Sequence, residues 1–427
     1  MNVCVLGLWH LGCVFAAGLA KFGHSVVGLD FDTALVKELG CGRAPIFEPG
    51  LDDLLQSGIR SGSLRFTDDI EVALSLDPEI IWVAYDTPVD SEDRADVEFV
   101  FEQTLRLLER VPAGKLILVS SQLPVGSVRR FEGACPSLRF ACSPENLRLG
   151  SAIEVFIRPD RVVLGVRMSE DRKLLSRLFE SFVDRLVWMS VESAEMTKHA
   201  LNAFLATSVA FINEVAVICE HVGADAKDIE RGLKSEIRIG PRAYLSPGNA
   251  FAGGTLARDI EFLSDLSKHF SLDSFLLNSV RFSNIAHKQW AKRLLIESLG
   301  GIHGRRIAVW GLAYKSGTST LRQSASIELC VALHAAGATI QAYDPSVREL
   351  PPELAQWISL SLTAEGALDY ADALVVATNC SEFRELSADL VLKKLQGAVV
   401  LDGGRVCAGT LGEDPRIVYH SVGKSGI

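Results

Sequence analysis

The sequence predicts an α/β protein made of two doubly wound parallel sheets joined by a long central helix, and three observations predict it. NVCVLG at residues 2–7 is a short apolar run closing on a glycine, and after a helix-length segment SVVGLD ends at Asp30. The same order returns in the last third, where GRRIAVWGLAYK carries Gly311 and TIQAYDP carries Asp344. Between them, residues 192–223 read ESAEMTKHALNAFLATSVAFINEVAVICEHVG, with Leu201, Phe204, Leu205, Ile212 and Val215 at helical spacing.

Strand, glycine turn, helix and strand-terminal Asp make one βαβ unit. Further apolar runs, EIIWVAYDTP at 79–88 and KLILVSS at 115–121, alternate with amphipathic segments such as DVEFVFEQTLRLLERV. That alternation argues for a parallel sheet covered on both faces. The C-terminal copy carries the extra stretch YKSGTSTLRQ between its glycine turn and its helix. The expected division is a Rossmann-like cofactor domain over 1–192, a central helical region over 193–296 and a second Rossmann-like domain over 297–427. A helix this long between two domains predicts a hinge or a subunit interface.

At 427 residues the chain exceeds one hydrophobic core. With 48% hydrophobic and 22% charged residues it reads as globular and ordered. A formal net charge of −10 without a Lys/Arg cluster opposes nucleic-acid or anionic-membrane partners. The 9 cysteines include no CxxC pair, which reads as reduced thiols in a cytoplasmic setting, and the scattered histidines predict no metal site. Val3–Ala20 lacks Lys, Arg, Asp and Glu, but it also lacks a basic leader and is punctuated by glycines, so it reads as strand, turn and helix. No other window is expected to reach the length of a membrane span.

The first glycine turn, GLWHLG, keeps Gly7 and Gly12 of a dinucleotide-binding pattern but carries Trp9 at the middle position. The first glycine of such a turn makes the bend, the second lets a pyrophosphate approach the backbone, and the third lets helix pack on strand. Asp30, 18 residues beyond Gly12, stands where a carboxylate accepts from an adenosine ribose.

ACSPENLRLGSAIEVFIRPDRVVLG (141–165), EMTKHALNAFLATSVAFINEVAVICEHVGAD (195–225), RIGPRAYLSPGNAFAGGTLARD (238–259), GLAYKSGTSTLRQSAS and LDGGRV follow one another in order. Together they resemble the UDP-glucose and GDP-mannose dehydrogenase family over nearly the whole chain. The resemblance implies NAD-dependent oxidation of a nucleotide sugar at its C6 alcohol, with NAD in the N-terminal domain, the nucleotide in the C-terminal domain and a dimer through the central helix.

Carried over residue by residue, the resemblance implies NAD contacts from Gly7, Trp9, His10, Leu11, Gly12, Asp30, Thr87, Gln122 and Arg322. It implies substrate contacts from Glu145, Leu147, Arg238, Tyr244, Leu245, Gly248, Phe251, Gly253, Lys315 and Arg405. Lys198 and Asn202 match the family's TKxxxN pair. Four residues apart on a helix, they share a face and can present an ammonium and an amide to one oxygen. Asp259 matches a carboxylate that handles a proton, and Glu145 matches the first acid of PEFLREG. Each of these side chains also has a plain structural reading, as helix surface, cap or salt-bridge partner.

Relatives trap the intermediate aldehyde on a cysteine in FGGSCFPKD, because a thiolate adds to and leaves from a carbonyl readily. The position aligned with that cysteine is Thr255. A hydroxyl without a strong base stays protonated, so Thr255 reads more readily as an N-cap than as a nucleophile. Other departures cluster at the reacting end: Leu149 for the second acid of PEFLREG, Gln122 for a threonine, Arg258 for a lysine, and STLRQS for DDLRES with Arg322 kept. The expected enzyme therefore works without a thioester, either stopping at the aldehyde or oxidising its hydrate. The alternatives are a catalytically impaired nucleotide-sugar-binding protein and a dehydrogenase acting on another substrate class.

Overall fold

The computed structural model describes residues 1–88, 95–145, 147–252, 254–314 and 317–424. The chain separates into two compact units, 1–200 and 201–427, with the division inside the long helix Val191–Val222.

The first unit holds an eight-stranded sheet in the order β3-β2-β1-β4-β5-β6-β7-β8. Its strands are β1 (Asn2–Leu6), β2 (Ser25–Leu29), β3 (Leu64–Thr67), β4 (Ile80–Val83), β5 (Leu116–Val119), β6 (Arg139–Cys142), β7 (Val162–Val166) and β8 (Leu186–Met189). Strands with no polar alternation, such as IIWV of β4 and LILV of β5, are buried throughout because both faces of the sheet are covered. One face packs Phe15, Trp82, Phe156 and Phe179, and the other Leu107, Phe131 and Phe140. The sheet departs from the expected all-parallel pattern once: β7 runs antiparallel to β6. Both pairs of their register, Ala141↔Val166 and Cys142↔Gly165, lie in continuous apolar runs that read the same in either direction.

The second unit holds six parallel strands in the order β11-β10-β9-β12-β13-β14. They are β9 (Arg306–Trp310), β10 (Thr339–Tyr343), β11 (Ile358–Leu360), β12 (Ala373–Val376), β13 (Val399–Asp402) and β14 (Val418–His420). In each sheet the chain order reverses between the first strand and its neighbour, β1 with β4 and β9 with β12. Ligands bind at such reversal points, beyond the carboxyl ends of the strands. The repeat extends to atoms: Asp30 Oδ2 accepts from the Leu8 amide at 2.7 Å, and Asp344 Oδ2 accepts from the Leu312 amide at 2.8 Å.

Ala203, Ala206 and Ala210 of the long helix pack on Ile260 and Val280 in a separate small core of the second unit. Among the described residues this helix is long and apolar enough to cross a membrane by length and composition, which corrects the expectation that no second window reaches that length. Within the protein, 44% of its most apolar stretch is buried.

Candidate functional site

In the first unit, β1 and β4 are paired in register from Val3↔Ile80 to Leu6↔Val83, so the loops leaving their carboxyl ends lie side by side. Gly7 has φ 89°, a left-handed conformation that glycine tolerates, and a Cβ there would lie 2.7 Å from the Tyr85 ring. A Cβ on Gly12 would collide with the Gly7 carbonyl, so this glycine permits the close turn-to-helix contact expected of it. The turn feeds the helix His10–Lys21, whose capping position, Trp9, gives no side-chain cap hydrogen bond and is 51% exposed. Asp30 is buried, with Oδ2 on the Leu8 amide and Oδ1 accepting from Asp32 N at 3.0 Å.

These residues fit NAD: a glycine turn with room for a backbone-hugging phosphate, a helix N-terminus aimed at it and a strand-end carboxylate for a ribose. Thr87, at the end of the β4 loop, donates its hydroxyl to the Gln122 carbonyl at 2.8 Å, tying two of the expected cofactor residues together. Arg322 lies in the other unit, exposed in the loop before the helix Ala325–Ala335.

Two acids that the sequence reading passed over organise this region. Glu48 is buried; its Oε2 sits 3.0 Å from His10 Nε2 and accepts from Gly150 N, while its Oε1 accepts from Ala152 N at 2.8 Å. Asp86 Oδ2 accepts from the Leu11 amide at 3.0 Å. Its position directly before Thr87 in YDTP was the only local signal.

Lys198, near the start of the long helix, is turned inward. Its Nζ donates to the Glu145 carbonyl at 2.8 Å and to Glu145 Oε1 at 3.1 Å, with the two side chains only 10% and 16% exposed. Glu145 Oε2 also accepts from Leu147 N at 2.7 Å. Ser121, Gln122, Cys142, Glu145 and Lys198 line one small cavity. Burial first, and Glu195 next, push the Cys142 thiol pKa well above the ordinary value.

In the second unit, Asn202 Nδ2 donates to Oδ2 of the fully buried Asp259. Thr255 is the first residue of the helix Thr255–His269 and is exposed. It is not the N-cap: Gly254 holds that place with φ 78° and ψ −132°, and no side chain caps the helix. A φ of 78° with a ψ of −132° is a conformation essentially open only to glycine, so glycine takes the cap and Thr255 falls one residue inward. Gly253 and Lys315 lie outside the described residues.

The loop before Thr255 is held by residues absent from the sequence expectation. Asn213 Oδ1 accepts from Gly248 N at 3.0 Å, His287 Nε2 lies 2.8 Å from the Gly248 carbonyl, and Asn284 bonds both the Phe251 amide and carbonyl. Leu245 is buried, while Tyr244 and Arg238 are exposed, Arg238 paired to Glu236 at 2.9 Å. Arg405, with φ 56°, is committed to Asp225, its Nη1 to Oδ2 at 3.0 Å and its Nη2 to Oδ1 at 2.7 Å. Among the described residues no His/Cys/Asp/Glu group is arranged to hold a metal ion.

Three family models match the chain: the NAD binding domain of the UDP-glucose/GDP-mannose dehydrogenase family over 1–183, its central domain over 192–286 and its UDP binding domain over 308–409. A UDP-glucose 6-dehydrogenase of Pseudomonas aeruginosa is 32% identical, covering 99% of this chain and 98% of that protein. Another, from Bacillus subtilis, is 32% identical over 100% of this chain and 98% of that protein. Among solved structures, a UDP-glucose dehydrogenase from Pyrobaculum islandicum superposes with a TM-score of 0.87 at 28% identity, covering 99% of this chain and 98% of that one. A UDP-D-ManNAc dehydrogenase from Pyrococcus horikoshii superposes at 0.85 with 25% identity over 100% of both chains.

Proposed function

Because the chain belongs to the UDP-glucose/GDP-mannose dehydrogenase family and carries its NAD binding domain, we propose that it oxidises the C6 alcohol of a UDP-hexose without forming a covalent sugar–protein intermediate. NAD, when bound, takes up the hydride. The chain's own residues position the sugar and handle the proton.

Thr255 carries this reading. A threonine hydroxyl holds its proton at neutral pH, so it does not capture an aldehyde as a thiolate does. No cysteine occurs between Cys219 and Cys330, so the loop has no substitute of its own. Cys330 is buried, which pushes its thiol pKa up to about 12. The first step, alcohol to aldehyde, needs only a base, an oriented alcohol and the cofactor. Asp259 is assigned the proton and Asn202 its orientation; Lys198, held by Glu145, is assigned to a substrate oxygen. Any further oxidation passes through the free aldehyde hydrate, whose second hydroxyl comes from water.

A homodimer through the long helix belongs to the same reading, supported by Phe204, Phe211 and Ile218, exposed by 68%, 50% and 60% at seven-residue intervals. The division at 192/193 and 296/297 likewise stands as cofactor, dimer and nucleotide regions. The test is incubation with NAD and a panel of UDP-hexoses, reading NADH absorbance and sugar mass together. NADH with a 6-aldehyde or its hydrate among the products is expected; UDP-sugar binding without NADH would leave a binding protein instead.

A further inference from the structure

Asp86 projects from the loop after β4 into the turn after β1, at the point where the strand order of the first sheet reverses. Its carboxylate accepts from the Leu11 amide in the first turn of the helix His10–Lys21, a contact between residues 75 apart in sequence. Trp9 gives that helix no side-chain cap, so Asp86 does the capping from another segment. First-turn amides of the helix following a glycine turn are also where a dinucleotide pyrophosphate is held, because the unpaired N–H groups and the helix dipole favour an anion.

We propose that Asp86 is an internal occupant of the pyrophosphate position: it caps the helix in the free protein and must give up the Leu11 amide when NAD binds, so that it sets cofactor affinity. One amide hydrogen satisfies one good acceptor at 3.0 Å, and a carboxylate left beside a pyrophosphate adds like-charge repulsion. His10, whose ring acts on the Asp86 charge, is itself engaged with the buried Glu48 at 3.0 Å. Crowding by protein atoms pushes the Asp86 carboxyl pKa above the ordinary range although water reaches the side chain; Glu145 acts in the same direction, and the Leu11 amide, the His10 ring and the His10 amide act against it. The inference rests on the NAD assignment of this domain and is independent of the fate of the sugar at Thr255.

The test is calorimetric titration of the full-length protein with NAD, and separately with adenosine, for wild type, Asp86→Asn and Asp86→Gly, with a melting curve of each free protein. Asp86→Asn keeps an oxygen acceptor for the Leu11 amide and removes the charge. Asp86→Gly removes both. The proposal expects NAD to bind each variant about tenfold or more tightly than wild type, adenosine affinity to be unchanged, and the free Asp86→Gly protein to melt lower than wild type. NAD affinity in Asp86→Asn that is unchanged or weaker than wild type overturns it. So does an equal gain for adenosine, which carries no phosphate. If Asp86→Gly does not fold, Asp86→Asn alone decides.

Discussion

Lys198 grips Glu145 at two points, the backbone carbonyl at 2.8 Å and the side-chain Oε1 at 3.1 Å, so the helix ammonium and the β6 loop are fixed as one unit. A surface helix charge would be mobile and solvated. This one is nearly buried, and its removal leaves the Glu145 carboxylate with the Leu147 amide but without the Lys198 ammonium.

Lys198→Met should therefore lower turnover about a hundredfold, the cost typical of removing a preorganised charge donor. It should also lower the melting temperature, whereas Glu145→Gln should keep most of the fold because the carbonyl contact remains. Steady-state kinetics and melting curves on both variants check this. Wild-type turnover in Lys198→Met would take the lysine out of the reaction.

Asn202 donates to an Asp259 that is fully buried. Asp259→Asn, which keeps the shape and loses the proton acceptor, should reduce kcat by about 10²-fold or more. Asn202→Ala removes one donor from a buried carboxylate and should cost about 1–3 kcal/mol of stability as well as activity. Urea unfolding together with initial rates separates the two effects. A variant that loses stability but keeps its rate would make the pair purely structural.

Thr255→Cys puts a thiol on the first residue of a 15-residue helix, whose dipole favours a thiolate. Alkylation rates should report a thiol pKa below the usual value of about 8.5. The ratio of NADH formed to sugar consumed should rise towards two if the surrounding groups still support the second oxidation. A reactive thiol with an unchanged ratio would point to Leu149 and the STLRQS stretch as the missing parts.

Glu192 is bound by Arg167 at 2.8 Å and 2.9 Å and by Arg129 at 2.7 Å. Arg167 chiefly, then Arg129, holds its carboxyl down from 4.5 to about 2, against the opposing effect of burial. A depressed folded-state pKa contributes stability that is present above pH 4.5 and is lost as pH falls towards 2. At full strength the difference corresponds to about 3 kcal/mol, and screening of these partly exposed groups reduces it to about 1 kcal/mol. Glu192→Gln should thus be destabilised at pH 7 and converge on wild type near pH 2. A gap that persists in acid would assign the loss to packing.

Both sheets were legible because each begins with an apolar run, a glycine and a strand-end acid, and the long helix because its apolar residues recur at helical spacing over Val191–Val222. Asp86 and Glu48 were not, since their partners lie 75, 38, 102 and 104 residues away and leave no local period. Thr255 was misplaced by one residue because a hydroxyl after glycines satisfies the composition rule for an N-cap. The geometry that decides is the backbone of Gly254, at φ 78° and ψ −132°. Asn213, Asn284 and His287 lie on helices, and nothing in their spacing singles them out as the brackets of the 248–251 loop.

Intact-protein mass measurement on the enzyme quenched during turnover with NAD and UDP-glucose tests the absence of covalent capture most directly. The expected result is the unmodified 46.3 kDa chain at every time point while NADH accumulates. A mass increase equal to the UDP-sugar less two hydrogens (hemiacetal or thiohemiacetal) or four (ester or thioester), mapped by peptide analysis to Thr255 or to any cysteine, would contradict it.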